Sequence, residues 1–148
     1  MRRYLALAAL GAALLVGSGC GTDDDSLAPD VAAACDEYHR LINQRSELYG
    51  DEMGAVGQAS AAGDEGRKDT AVTVVKELFL TTADGLREQS GKVTSDEELA
   101  TALAEAADGL DDVANQIETY DDVVAADQLM SESAFAAAGA RVSEICAG

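Results

Sequence analysis

From about residue 30 onward, apolar side chains recur with the period of an α-helix rather than the two-residue alternation of a half-buried strand. Val31, Cys35, Tyr38, Ile42, Arg45 and Tyr49 are spaced alternately by four and three, so they share one helical face. Pro29 suits the first turn of this helix, where a missing N–H costs nothing. Gly50, Gly54 and Gly57 weaken its far end, and the pattern predicts fraying between Gly50 and Ser60, followed by a loop over 61–66. Val72, Val75, Phe79 and Leu86 mark a second helix over 67–90, with Gly91 placed as a left-handed C-terminal cap. Its threonines and β-branched valines are poor helix formers, which leaves strand character open there. The third helix has the clearest seam: Leu99, Leu103, Ala106, Leu110, Val113, Ile117 and Tyr120 follow in unbroken four-three order. Ser95 and Glu98 in front of it have the spacing of a capping box. The last stretch, 121–146, is less regular. Phe135, Ala138, Val142 and Ile145 give it a core face, Asp127 and Ser131 each suit a new helix start, and 121–130 reads as either a bent helix or a separate turn.

The first twenty residues follow a different rule. Arg2 and Arg3 precede an apolar run from Tyr4 to Val16, and Gly17, Ser18 and Gly19 lead into Cys20. A charged start, a short apolar stretch and a small-residue cleavage site describe an export signal. The run is shorter than the roughly 20 residues needed to span a bilayer core. Ser18-Gly19-Cys20 resembles the lipobox of bacterial lipoproteins, in which two small residues precede a cysteine that is acylated after cleavage. Gly17 departs from that pattern, which usually has an aliphatic residue there; Val16 lies one place early. The resemblance covers only this segment. It implies a signal peptide over 1–19, lipid on Cys20, and a protein held by that lipid on the extracytoplasmic face of the cell membrane. Ordinary cleavage and free secretion is the alternative, and Arg2-Arg3 leaves the choice between general and twin-arginine export open.

Acylation also accounts for the cysteines. An odd number in an exported chain calls for an explanation. With Cys20 assigned to lipid, Cys35 and Cys146 remain as a pair for one disulfide in an oxidising compartment. That pair constrains the architecture. Cys35 lies near the start of the first helix and Cys146 near the end of the last, so in an up-down bundle they meet only if the helix count is even. With three long helices they would lie about 30 Å apart, whereas bridged Cα atoms lie within about 7 Å. The expected fold is therefore all-α, an up-down bundle of four helices closed by one disulfide. It occupies 30–148, and 20–29 forms the lipidated cysteine and a flexible tether.

Charge narrows the choice of partners. The chain has 10 basic and 28 acidic side chains, a formal charge of −18. Loss of 1–19 removes Arg2 and Arg3, leaving 8 against 28 and a mature charge of −20. Such a surface opposes nucleic acid, whose phosphates require lysine and arginine. It equally opposes docking on anionic headgroups through a basic patch. Asp23, Asp24 and Asp25 repel one another and contribute nothing to a core, which suits a solvated tether. The nine residues from Gly21 to Pro29 reach at most about 30 Å.

Candidate chemistry is sparse. His39 is the only histidine, and Asp36-x-x-His39 lacks the second such pair that a di-iron bundle needs. A haem carrier would have to hold the group with His39 and Met53 or Met130. No G-x-S-x-G motif is present, and the separation of Cys35 from Cys146 is not that of a C-x-x-C redox pair. Asp108, Asp111 and Asp112 are helix neighbours suited either to loose cation binding or to a solvated face. The expectation is a lipid-anchored cell-envelope protein without enzymatic activity or cofactor, acting as a binding or interaction module, with an envelope protein as its possible partner. A structural envelope component, or a metal or haem carrier, is the alternative. The bias toward alanine, glycine and aspartate resembles small lipoproteins of actinobacteria.

Overall fold

The computed structural model describes residues 27–148, so Cys20, the export segment and most of the tether lie outside the described residues. The described residues are helical, without strands, and form six segments: α1 (Pro29–Ala61), α2 (Gly66–Lys92), α3 (Glu97–Gln116), α4 (Tyr120–Val124), α5 (Ala126–Glu132) and α6 (Ala134–Ala147). The threonine- and valine-rich stretch is helix, not strand. Buried Thr82 satisfies its hydroxyl within the helix, donating to the Leu78 carbonyl at 2.8 Å, one turn back.

Helix α1 runs without a break through Gly50, Gly54 and Gly57 to Ala61, beyond the expected fraying point. Each glycine costs about 1 kcal/mol relative to alanine in a helix interior. Packing over the same turns offsets that cost. Val56 is fully buried, Met53 packs on the core, and Glu52 is held by Arg67 of α2. The helix stops at Gly63, whose φ of +82° is the left-handed conformation that glycine adopts without a Cβ penalty. Gly91 has no such role. Helix α2 continues through it to Lys92 and ends at extended Val93.

The cap of α3 is one residue from the expected position. Asp96 is the N-cap and accepts from the Leu99 amide at 2.8 Å. Ser95 instead donates to Asp30 of α1 at 2.5 Å, so the Ser95–Glu98 capping box does not form. Aspartate caps as well as serine, which makes the exchange inexpensive. The α3 seam from Leu99 to Ile117 is buried as expected, but Tyr120 falls past the end of α3 and opens α4.

The expected last helix is three short ones. Thr119 and Asp122 form a reciprocal capping box that starts α4 at the bend after α3. The chain turns again at Ala125 and at Ser133, not at Asp127 or Ser131, and the Ser133 hydroxyl accepts from the Phe135 amide to begin α6.

Helix α2 packs against α1 on one side and α3 on the other; α3 in turn packs against α6, and α6 touches α1. The core has two parts. One, toward the start of α1, joins Val31, Cys35, Tyr38, Leu86, Leu103 and Val142. The other joins Val75, Phe79, Val113, Ile117 and Val123, and Met130 packs against both. No described helix is long and apolar enough to cross a membrane.

Candidate functional site

The start of α1 is fixed by two contacts. Cys35 and Cys146 are disulfide-bonded, with Cα atoms 5.6 Å apart and a separation of 111 positions in sequence. Cys35 is buried on the stripe of Val31 and Tyr38, and Cys146 lies in the last turn of α6, so the bond ties the first helix to the last. Beside it, the Asp30 carboxylate accepts from the amides of Thr94 and Ser95 at 2.8 and 3.0 Å and from both hydroxyls. These four donors hold its pKa far below the usual carboxylate range, the Ser95 hydroxyl contributing most. Asp30 thereby latches α1 to the α2–α3 turn.

The sequence candidates for metal or haem do not converge. His39 is exposed, edge-on to the Tyr38 ring. Met53 lies on the same helix about 21 Å farther along, out of reach of an ion on His39. The Met130 sulfur accepts from Arg45 instead. Asp108 and Asp111 both hold Arg87 of α2, so their charge serves a helix-to-helix ion pair on the surface.

Arg45 stood out in the sequence only as a cation on an apolar stripe. Its burial follows from three helices at once. The guanidinium lies over the rings of Phe79 (α2) and Phe135 (α6), 5.7 and 5.1 Å from their centroids, and Nη1 donates to Met130 Sδ at 3.0 Å. Burial lowers its pKa from the ordinary arginine value, partly offset by Tyr38 and Asp127. The contacts with the two rings are worth about 1–2 kcal/mol each when desolvated, which helps to offset the cost of burying the charge. A cleft of about 280 Å³, lined by Arg45, Tyr49 and Asp127 among others, opens beside it.

The outer face of α1 and α2 is open. Three adjoining clefts run along it and share Leu41, Leu48, Leu78 and Thr81. Near the disulfide the lining is polar and mixed in charge, with Glu37, Arg40, Glu88 and Lys92. Toward the α1–α2 loop the groove holds about 530 Å³ over Leu48, Ala55, Val74 and Leu78, and its charged lining residues are all acids: Asp51, Glu52 and Glu77. Leu48 and Val74 are 46% and 38% exposed, and among the described residues only Val124 is a comparable large apolar side chain left in water.

Compared with protein-family models, curated protein sequences and solved structures, the chain finds no match.

Proposed function

We propose that the chain is a lipid-anchored cell-envelope protein, acylated at Cys20 on the extracytoplasmic face of the membrane, whose helical domain acts by binding and not by catalysis. The observation that carries this reading is the cysteine balance. The Cys35–Cys146 bond uses two of the three cysteines, and the one left over follows Ser18-Gly19 at the end of a charged-then-apolar segment. Residues 1–19 are then the signal, 20–29 the tether and 30–148 the binding domain. Within that domain, we read α4, α5 and α6 together as the fourth member of an up-down bundle. The disulfide between the start of α1 and the end of α6 supports that reading, since an even number of passes returns the chain to the end where it began.

Metabolic labelling with a palmitate analogue, followed by membrane fractionation, tests the anchor. The wild-type chain should carry label and sediment with membranes. Cys20→Ser should lose the label and move to the soluble or precursor fraction. Inhibition of the lipoprotein signal peptidase should leave a heavier precursor. A cleaved Cys20→Ser protein that stays on the membrane would sink the reading.

A further inference from the structure

We propose that the groove between α1 and α2 is a docking site for a basic amphipathic helix of a partner protein. The inference deepens the reading of the domain as a binding module and does not depend on the lipid.

The groove has the form of a vacant coiled-coil seam. Leu41, Leu48 and Ala55 repeat at seven-residue intervals along α1, on a stripe beside the one that meets the core; Leu41 packs on the core and against Gly85 and closes one end of the row, while Leu48 is left exposed. Across from them on α2, Val74, Leu78, Thr81 and Gly85 are spaced four, three and four. Two parallel rows of this kind form the ridges and hollow into which a third helix packs. The lining runs along α1 from Ala33 to Ala55, about 33 Å of helix, which matches a partner segment of roughly 20 residues.

Charge selects the occupant. Around the apolar half every charged lining residue is acidic, and Glu52 alone is ion-paired, to Arg67; Asp51 and Glu77 have no ion-pair partner among the described residues. Lysine or arginine flanking an apolar stripe would complete both. A second copy of this chain would set the same acids against each other, on a domain whose formal charge already opposes self-association. Anionic headgroups are repelled for the same reason.

The test uses the full-length chain carrying Cys20→Ser, so that the readout is independent of acylation. Loss of membrane retention would then test the anchor and loss of peptide binding the groove, separately. The probe is a fluorescent synthetic peptide of three heptads, with leucine at a and d and lysine at e and g. It should bind, and the paired change Leu48→Gln/Val74→Gln should weaken binding by about tenfold or more. Asp51→Asn/Glu77→Gln should weaken binding and flatten its dependence on salt. Asp112→Asn/Glu118→Gln, which removes the same charge from exposed sites elsewhere, should leave it unchanged. Leu48 and Val74 are both exposed, so circular dichroism should show the fold intact in their variant.

Absence of binding would overturn the proposal. So would equal binding of a scrambled peptide of the same composition, preference for a glutamate-flanked version, or indifference to Leu48→Gln/Val74→Gln. Concentration-dependent dimerisation abolished by that same pair would also overturn it, because the occupant would then be a second copy.

Discussion

Replacing Gly109 with alanine should destabilise the fold, although the same change in most helices does the opposite. Gly109 is buried in the interior of α3, where alanine is favoured over glycine by about 1 kcal/mol on propensity alone. The start of α6 crosses directly over this position. A Cβ on residue 109 would sit 2.8 Å from the Phe135 Cα and 3.0 Å from the Ala134 carbonyl carbon, and closer still to the Phe135 amide nitrogen. These are backbone atoms, so no side chain can rotate away. Helices α3 and α6 must separate by about 1 Å or more to restore ordinary contacts. Such overpacking costs typically 1–3 kcal/mol, and here it also displaces Phe135 from Arg45. The clash outweighs the propensity gain, leaving a net loss of up to about 2 kcal/mol.

Gly54→Ala supplies the control. Gly54 is also interior to a helix, but nothing lies within 4 Å of the position its Cβ would take. That variant should gain about 0.5–1 kcal/mol. Urea unfolding followed by circular dichroism would compare the two, and the opposite signs are the measurement. A Gly109→Ala protein as stable as wild type or more so would refute the close crossing of α3 and α6.

The disulfide and the Asp30 latch give two further expectations. Closing a loop of 111 residues is worth at most about 5 kcal/mol in the chain-entropy model, so Cys35→Ser/Cys146→Ser should lose roughly 2–5 kcal/mol with native helix content unchanged in the cold; two reactive thiols at these positions in exported, unreduced, denatured protein would refute the bond. The Asp30 pKa is lowered by folding, so its contribution is present above the ordinary aspartate value and fades as pH falls below about 4 toward the folded value. The stability gap between wild type and Asp30→Asn should narrow over that window, and a gap constant with pH would show that the Thr94 and Ser95 contacts do not favour the charged form.

The parts of the fold readable from sequence were those set by local pattern or by counting. The α3 seam was legible because apolar residues hold every four-three position from Leu99 to Ile117, and all of these are buried. The Cys35–Cys146 pair followed from three cysteines and one assignment. What was not legible depended on residues far away in the chain. Ser95 is a sound N-cap by spacing, but Asp30, 65 residues earlier, takes its hydroxyl and moves the cap to Asp96. The glycines of α1 read as a fraying end because their offsetting partners, Arg67 and the second core cluster, belong to other elements. The divided last helix has one local signal that the seam running on to Tyr120 masked, the Thr119–Asp122 box, and one distant cause, the crossing of α6 over Gly109. The groove was half visible. Leu41, Leu48 and Ala55 lie in the sequence at heptad spacing, but the stronger stripe through Val31, Tyr38 and Tyr49 accounts for α1 as a core helix and hides a second apolar face.

The two proposals, an anchor at Cys20 and a groove on α1–α2, also bear on each other through geometry. If Cys20 is acylated, the start of α1 lies within about 30 Å of the bilayer, the reach of the residues between. Leu48 lies about 20 Å farther along α1 than Cys35, so the acid-rimmed half of the groove occupies the end of the domain opposite the tether. A domain so strongly acidic is repelled by anionic headgroups and has no basic patch with which to lie down on them. Repulsion of this kind is felt only within about a Debye length, roughly 8 Å at physiological salt, which is enough to keep the domain off the surface but not to fix its orientation. The disulfide and the Asp30 latch both act at the tethered end, where they hold α1 to α6 and to the α2–α3 turn. On the proposed anchor, the acid-rimmed half of the groove then lies at the end of α1 farther from the attachment point, the end more accessible to a partner's helix.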